Sequence, residues 1–99
     1  MNNRDYIKSI KDVMLCIQVI VRSRFKKKTK IIFTKGRYKS AYLSFYKDNY
    51  TWQFYCEDKV NRYELHLLKN DKVIRSDFIR KGELVDIFYQ KLIYFFRYM

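Results

Sequence analysis

The chain has 99 residues, 48% hydrophobic, 19% aromatic and 32% charged, with two glycines and no proline. This composition excludes a disordered or low-complexity chain, and the length predicts a single domain over residues 1–99. The 22 Lys and Arg residues against 10 acids give a formal net charge of +12. Such self-repulsion costs stability, so we expect an anionic partner.

The first predicted element is an amphipathic helix near the start of the chain. Its apolar side chains recur at helical spacing and are expected to face a core: Tyr6, Ile7, Ile10, Met14, Ile17 and Val21. Asn2 or Asn3 is expected to cap this helix, with Asp5 in its first turn. CIQVIV (16–21) is apolar nearly all round, so a strand is the alternative there, but we favour the helix.

The apolar run VMLCIQVIV (13–21) predicts neither a signal peptide nor a membrane span. A glutamine interrupts it, no small-residue cleavage site follows, and it is about half the length needed to cross a bilayer. Cys16 and Cys56 each lie in an apolar run, which favours buried thiols in a reducing compartment over a disulfide. We therefore expect a cytoplasmic protein without membrane contact.

Alternation replaces helical spacing after residue 29. KIIFT (30–34) predicts a short strand, followed by a tight turn at residues 35–37. In YKSAYLSFYK (38–47) one face carries Ala41, Leu43 and Phe45, and the other carries Tyr38, Tyr42, Ser44 and Tyr46. This pattern of period two predicts a strand with one buried and one open face.

Three further strands are predicted. They are YTWQFYC (50–56), RYELHLL (62–68) and a short KVIRS (72–76), with hairpin turns at Asp48-Asn49 and Asn70-Asp71. A final helix is indicated by one stripe of residues: Leu84, Ile87, Phe88, Lys91, Leu92 and Phe95. The expected fold is α+β, an antiparallel meander of four to five strands with both helices packed on one face. The other face would then stay open.

The last helix is more apolar than one helix face requires. IFYQKLIYFFRYM (87–99) carries more aromatic and aliphatic residues than a small core can take. The surplus suggests a homodimer or a contact with another partner through this helix, and a helix wrapped by the sheet and first helix together explains it equally well.

Residues 22–39, RSRFKKKTKIIFTKGRYK, hold nine cations and no acid. Residues 1–40 hold 12 bases and 2 acids (+10), whereas residues 41–99 hold 10 and 8 (+2). Cations held by a helix end and a hairpin suit a phosphate backbone through counterion release, and a solvated loop is the alternative. The candidate binding residues are Arg22, Arg24, Lys26, Lys27, Lys28, Lys30, Lys35, Arg37 and Lys39.

Tyr42 and Tyr46 are candidate base-stacking residues beside these cations. An exposed aromatic sheet face next to a basic edge is typical of single-strand binders. Strands also favour tyrosine for purely structural reasons.

No catalytic, metal or cofactor site is predicted. His66 is the only histidine, and no carboxylate or thiol partner for it can be recognised along the chain. A phosphate-cradling loop needs more than two isolated glycines, and both thiols are expected to be buried.

Two functions therefore compete. The first is a non-catalytic nucleic-acid-binding protein, for DNA or RNA. The second is a small inhibitor or immunity protein of the kind found in phages and mobile elements, whose basic face binds an acidic protein. A structural subunit of a larger assembly ranks third.

Overall fold

The fold is a five-stranded antiparallel sheet with a helix before it and a helix after it. The computed structural model describes residues 6–99. The elements are α1 (Ile10–Phe25), β1 (Ile32–Thr34), β2 (Lys39–Lys47), β3 (Tyr50–Asp58), β4 (Arg62–Lys69), β5 (Lys72–Arg80) and α2 (Val85–Phe96). Each strand pairs with its neighbour in sequence, in the order β1-β2-β3-β4-β5. The expected α+β meander is confirmed.

Both helices pack on one face of this sheet. Phe54, in the middle of β3, is fully buried, and its ring centroid lies 6.2 Å from that of Phe95 and 5.2 Å from that of Phe96 in α2. Phe25, at the end of α1, lies 5.9 Å from Phe45 of β2. The opposite face, here called the open face, has no element packed on it within residues 6–99.

Alternation along β2 and β3 decides which side chains enter the core. On the helix-covered face the two strands contribute Ala41, Leu43, Phe45, Trp52, Phe54 and Cys56, all buried. Tyr42 and Tyr46 lie on the open face, as period two requires. The predicted faces of both strands are therefore confirmed.

α1 begins later than the sequence suggested. Ser9 is its N-cap, accepting a hydrogen bond from the backbone N–H of Asp12, while the Asp12 carboxylate accepts one from the N–H of Ser9. This reciprocal capping box satisfies two amides that would otherwise lack partners. The prediction that the helix includes Tyr6 and Ile7 is wrong. Asn2, Asn3 and Asp5 lie outside the described residues.

The segment before α1 is extended and pairs with the chain just before α2; this contact of Tyr6 and Ile7 with residues 82–84 is here called the clasp. The N–H of Ile7 donates to the carbonyl of Glu83 (2.7 Å), and the N–H of Gly82 donates to the carbonyl of Ile7 (2.8 Å). Tyr6 forms an isolated antiparallel bridge with Leu84. Gly82 has φ of 85°, a left-handed conformation that glycine adopts without strain. Ile7 is thereby fully buried although it lies outside the helix.

α1 runs without interruption through residues 16–21 to Phe25, which confirms the helical interpretation of that stretch. Within residues 6–99, neither helix has the length and apolarity that crossing a lipid bilayer requires. Cys16 and Cys56 are buried and form no disulfide, as expected.

β5 is longer than expected and reaches Arg80 instead of ending at residue 76. Alternation continues through Phe78, half exposed on the open face, and Ile79, buried in the core. The two hairpin turns are confirmed, since their central residues all have positive φ: Asp48 (54°), Asn49 (69°), Asn70 (49°) and Asp71 (67°). α2 begins at Val85 with Leu84 as its N-cap.

Candidate nucleic-acid interface

The nine predicted cations lie along one border of the sheet, here called the basic border. They run from the last turn of α1 through the loop that follows it and around the hairpin between β1 and β2: Arg22, Arg24, Lys26, Lys27, Lys28, Lys30, Lys35, Arg37 and Lys39. Lys27 is half-buried and the other eight are exposed. They belong to one continuous segment, from the last turn of α1 to the first residue of β2.

The turn at the end of α1 directs the chain along this border. Lys26 is the C-cap, with φ of 57° in the left-handed region, and its N–H donates to the carbonyl of Arg22 at 3.0 Å. Gln18 Nε2 then donates to the carbonyl of Thr29 at 2.8 Å, which ties the loop to the side of the helix. The backbone that carries the lysines therefore has a fixed position.

A shallow depression of about 490 Å³ lies at the helix end. Its walls include Arg22, Lys26 and Lys28, with the exposed side chain of Val19 beside them. Three cations around one concavity can donate charge-assisted hydrogen bonds to a single phosphate group.

The hairpin carries the second part of the basic border. β1 is a three-residue edge strand that pairs with β2 through Ile32↔Tyr42 and Thr34↔Ser40. Lys30 precedes β1 and Lys35 follows it, a separation of at most roughly 17 Å in an extended chain.

None of the nine cations forms an ion pair with an acid among residues 6–99. Other cations do: the pairs are Lys47–Asp48, Lys59–Glu57 (3.7 Å), Arg62–Glu64 (2.7 Å), Lys81–Asp58 (2.5 Å) and Lys91–Glu83 (2.9 Å). Some of the charge of Arg22 and Arg24 is offset by the negative end of the α1 dipole. The rest of the basic border has no such compensation.

The two candidate stacking residues lie on the open face of β2, and Tyr42 pairs with the edge strand β1. Tyr42 is half-buried between Ile32 of β1 and Tyr55 of β3, its partners in the sheet. Tyr46 is 59% exposed near the other end of β2. Tyr55 in turn stacks on His66, with ring centroids 6.1 Å apart and an interplanar angle of 26°. Aromatic rings thus cross the sheet from the basic border toward β4.

Sequence reasoning missed the surroundings of His66. Glu57 and Glu64 place carboxylate oxygens beside it, with the three potential ligand atoms all within 4.8 Å of one another. The expectation that no carboxylate partner converges on His66 is therefore wrong. The alternation along β4 is enough to predict that Glu64 and His66 share a face. The position of Glu57 beside them can be known only from the register of β3 with β4.

The environments of Cys56 and Tyr89 favour the protonated form of each group. Burial raises the pKa of the Cys56 thiol far above its usual range, and Asp58 and Glu57 raise it further. Burial, together with Cys16, raises the pKa of Tyr89 to about 12. Both groups stay protonated at neutral pH, so Cys56 is a poor nucleophile.

The outer side of α2 is exposed. Phe88, Leu92 and Phe95 enter the core, whereas Ile93 (49% exposed) and Tyr94 (50%) do not. The homodimer expected from this helix stays a prediction.

Comparison of the chain with protein-family models, with curated proteins and with solved structures found no match.

Proposed function

We propose that this is a non-catalytic nucleic-acid-binding protein of the cytoplasm whose basic border contacts phosphates. The observation that carries the proposal is the absence of acidic partners for all nine cations within residues 6–99, while five other cations are paired. Cations without acidic partners leave a positive field that attracts a polyanion, even where the α1 dipole offsets part of the charge of Arg22 and Arg24. Binding releases counterions, a favourable term that needs no contact with bases.

The aromatic side chains of the open face favour single-stranded over duplex nucleic acid as the ligand. A strand whose backbone follows the basic border would bring its bases over Tyr42 and Tyr46, on the strand next to the edge. Bases stack on aromatic rings without regard to sequence, which suits mixed-sequence DNA or RNA. Duplexes bury their bases and would contact the cations alone.

The test is a salt series with matched charge variants. The variant Lys26→Gln/Lys27→Gln/Lys28→Gln removes three cations from the basic border. Lys8→Gln/Lys11→Gln/Lys72→Gln removes three exposed cations from elsewhere, so both proteins have the same net charge. Binding to fluorescent single-stranded oligonucleotides is measured by anisotropy between about 50 and about 200 mM salt.

We expect the border variant to lower the slope of log affinity against log salt by roughly 2 to 3, because each phosphate contact contributes somewhat less than one unit. The control should change that slope much less. Equal slopes in the two variants would show that net charge alone drives binding. Absence of binding to any oligonucleotide at low salt, in protein freed of nucleic acid, would overturn the proposal.

One observation favours the alternative, an inhibitor that binds an acidic protein. Ile32 (38% exposed) and Phe33 (52%) lie among the cations on the free edge of β1. Apolar side chains inside a charged rim are typical of protein interfaces, and a free strand edge can pair with a partner strand. A stoichiometric complex with one acidic protein, resistant to nuclease and retained at moderate salt, would favour this function over the first.

A further inference from the structure

A carboxylate–histidine cluster lies on the open face, on the strands away from the basic border. It consists of Glu57 on β3 and of Glu64 and His66 on β4. Each side chain is about one-quarter exposed: 25%, 24% and 23%. The three groups are thus partly withdrawn from water and still open to an ion from solution.

The two carboxylates oppose each other directly, since Glu57 and Glu64 are partners in the register of β3 with β4. Like charges at such a position destabilise a sheet. Lys59 and Arg62 offset this repulsion from the side, at 3.7 Å and 2.7 Å from the carboxylate oxygens. The Arg62 side chain is 44% exposed, so it can rotate into solvent without leaving a buried charge.

His66 is oriented as a metal-binding histidine would be. Its Nδ1 lies 2.6 Å from Ser76 Oγ, and the Tyr55 ring stacks on the imidazole. Its Nε2 lies 3.9 Å from Glu64 Oε1, too far for a hydrogen bond. In the tautomer that carries the proton on Nδ1, the ring donates to Ser76 and turns the Nε2 lone pair toward the carboxylates. Metal-ligating histidines almost always have such a partner on the other ring nitrogen.

We propose that Glu57, Glu64 and His66 form a three-ligand site for Zn²⁺, with one oxygen from each carboxylate and Nε2 of the imidazole. One nitrogen and two oxygens suit zinc, which accepts mixed ligands, better than Mg²⁺, which prefers oxygen alone. Tetrahedral zinc requires ligand atoms roughly 3.4 Å apart, so the cluster closes by side-chain rotation from its 4.8 Å spread.

The fourth position of this site is open. Glu64 and His66 form part of the wall of a depression of about 580 Å³, which Arg62 and Phe78 also line. Three protein ligands and an open position leave room for a water molecule or for a small anion attracted by the neighbouring arginines. The site is independent of the nucleic-acid proposal, because none of its residues belongs to the basic border.

The single histidine makes the test specific. Tag-free, ¹⁵N-labelled protein is titrated with ZnCl₂ and separately with MgCl₂, while the imidazole ¹⁵N signals of His66 are followed by NMR. We expect Zn²⁺ to shift the Nε2 signal and to saturate near one equivalent, and Mg²⁺ to leave it unchanged. No shift with excess Zn²⁺ in the folded protein, or an equal response to Mg²⁺, would overturn the proposal.

Variants then locate the ion by calorimetric titration with ZnCl₂. His66→Ala and Glu64→Gln should each lower zinc affinity more than tenfold, and Ser76→Ala should lower it about 10- to 100-fold by releasing the imidazole. Asp71→Asn, an exposed acid in the turn between β4 and β5, is the control and should bind as the unaltered chain does. Circular dichroism checks that each variant folds. Unchanged affinity in folded His66→Ala would place the zinc elsewhere and contradict the proposal.

Discussion

The basic border and the β3–β4 half of the open face both carry lysine and arginine, but in the described part of the chain only the second region has acidic side chains that pair with them. On the border, nine cations have no acidic partner within residues 6–99, whereas Lys59, in the turn after β3, and Arg62, at the start of β4, each contact a glutamate. The paired cations contribute modestly to stability and little to the external field. The unpaired ones contribute field and cost stability. Under the proposed function, the basic border is therefore the side of the molecule that we expect to meet an anionic partner.

The largest expected effect comes from a substitution in the hydrophobic core, which supports both regions. Phe54→Ala deletes a fully buried ring between the sheet and α2, and large-to-small changes of this kind cost about 3–5 kcal/mol. We expect the free energy of unfolding, measured by urea denaturation, to fall by that amount. Phe33→Ala, which removes a ring that is 52% exposed, is the matched control. A similar loss in both variants would contradict the assignment of Phe54 to the core.

The second prediction separates the open face from the helix side. Tyr46→Ala and Tyr94→Ala remove tyrosines that are both at least half exposed, at 59% and 50%, from opposite sides of the molecule. We expect Tyr46→Ala to weaken single-strand binding by about 1–3 kcal/mol, the usual contribution of one stacked base. Tyr94→Ala should bind normally in the same anisotropy assay. If the two variants bind alike, the open face takes no part in stacking.

The smallest predicted effect distinguishes charge from backbone conformation within the basic border. Lys26→Gly and Lys27→Gly each remove one cation, but only Lys26 has positive φ. Glycine relieves strain at position 26, so we expect Lys26→Gly to raise the free energy of unfolding by about 1 kcal/mol, measured by thermal denaturation. Lys27→Gly should lose up to about 1 kcal/mol through backbone entropy. Both should weaken oligonucleotide binding to a similar extent, and a stability change of the same sign in both would contradict the left-handed cap.

Local pattern was enough to predict much of the fold and of the candidate interface. Alternation places Tyr42 and Tyr46 on one face because successive strand residues point in opposite directions. Asp48-Asn49 predicts a hairpin because both residues tolerate positive φ. The basic border is contiguous in sequence, so its position follows once α1, β1 and β2 are in place.

Two wrong predictions, the start of α1 and the surroundings of His66, concern places where separate segments of the chain contact each other. The start of α1 was misplaced because Tyr6 and Ile7 fit helical spacing, although the Ser9–Asp12 capping box and the clasp to residues 82–84 hold them outside the helix. The strand predicted over residues 50–56 stops before Glu57, whereas β3 continues to Asp58 and pairs Glu57 with Glu64. Composition gave no information about either.

The clasp between Ile7 and the chain before α2 has a consequence for how the molecule assembles. Every strand pairs with its sequence neighbour, so the hairpins can zip one after another over short loops, which favours rapid folding. The clasp instead joins positions about seventy-five residues apart, Ile7 with Gly82 and Glu83, and closes a loop that contains the whole sheet. Closing so long a loop costs more conformational entropy than closing any hairpin, so we expect these backbone hydrogen bonds to form after the meander.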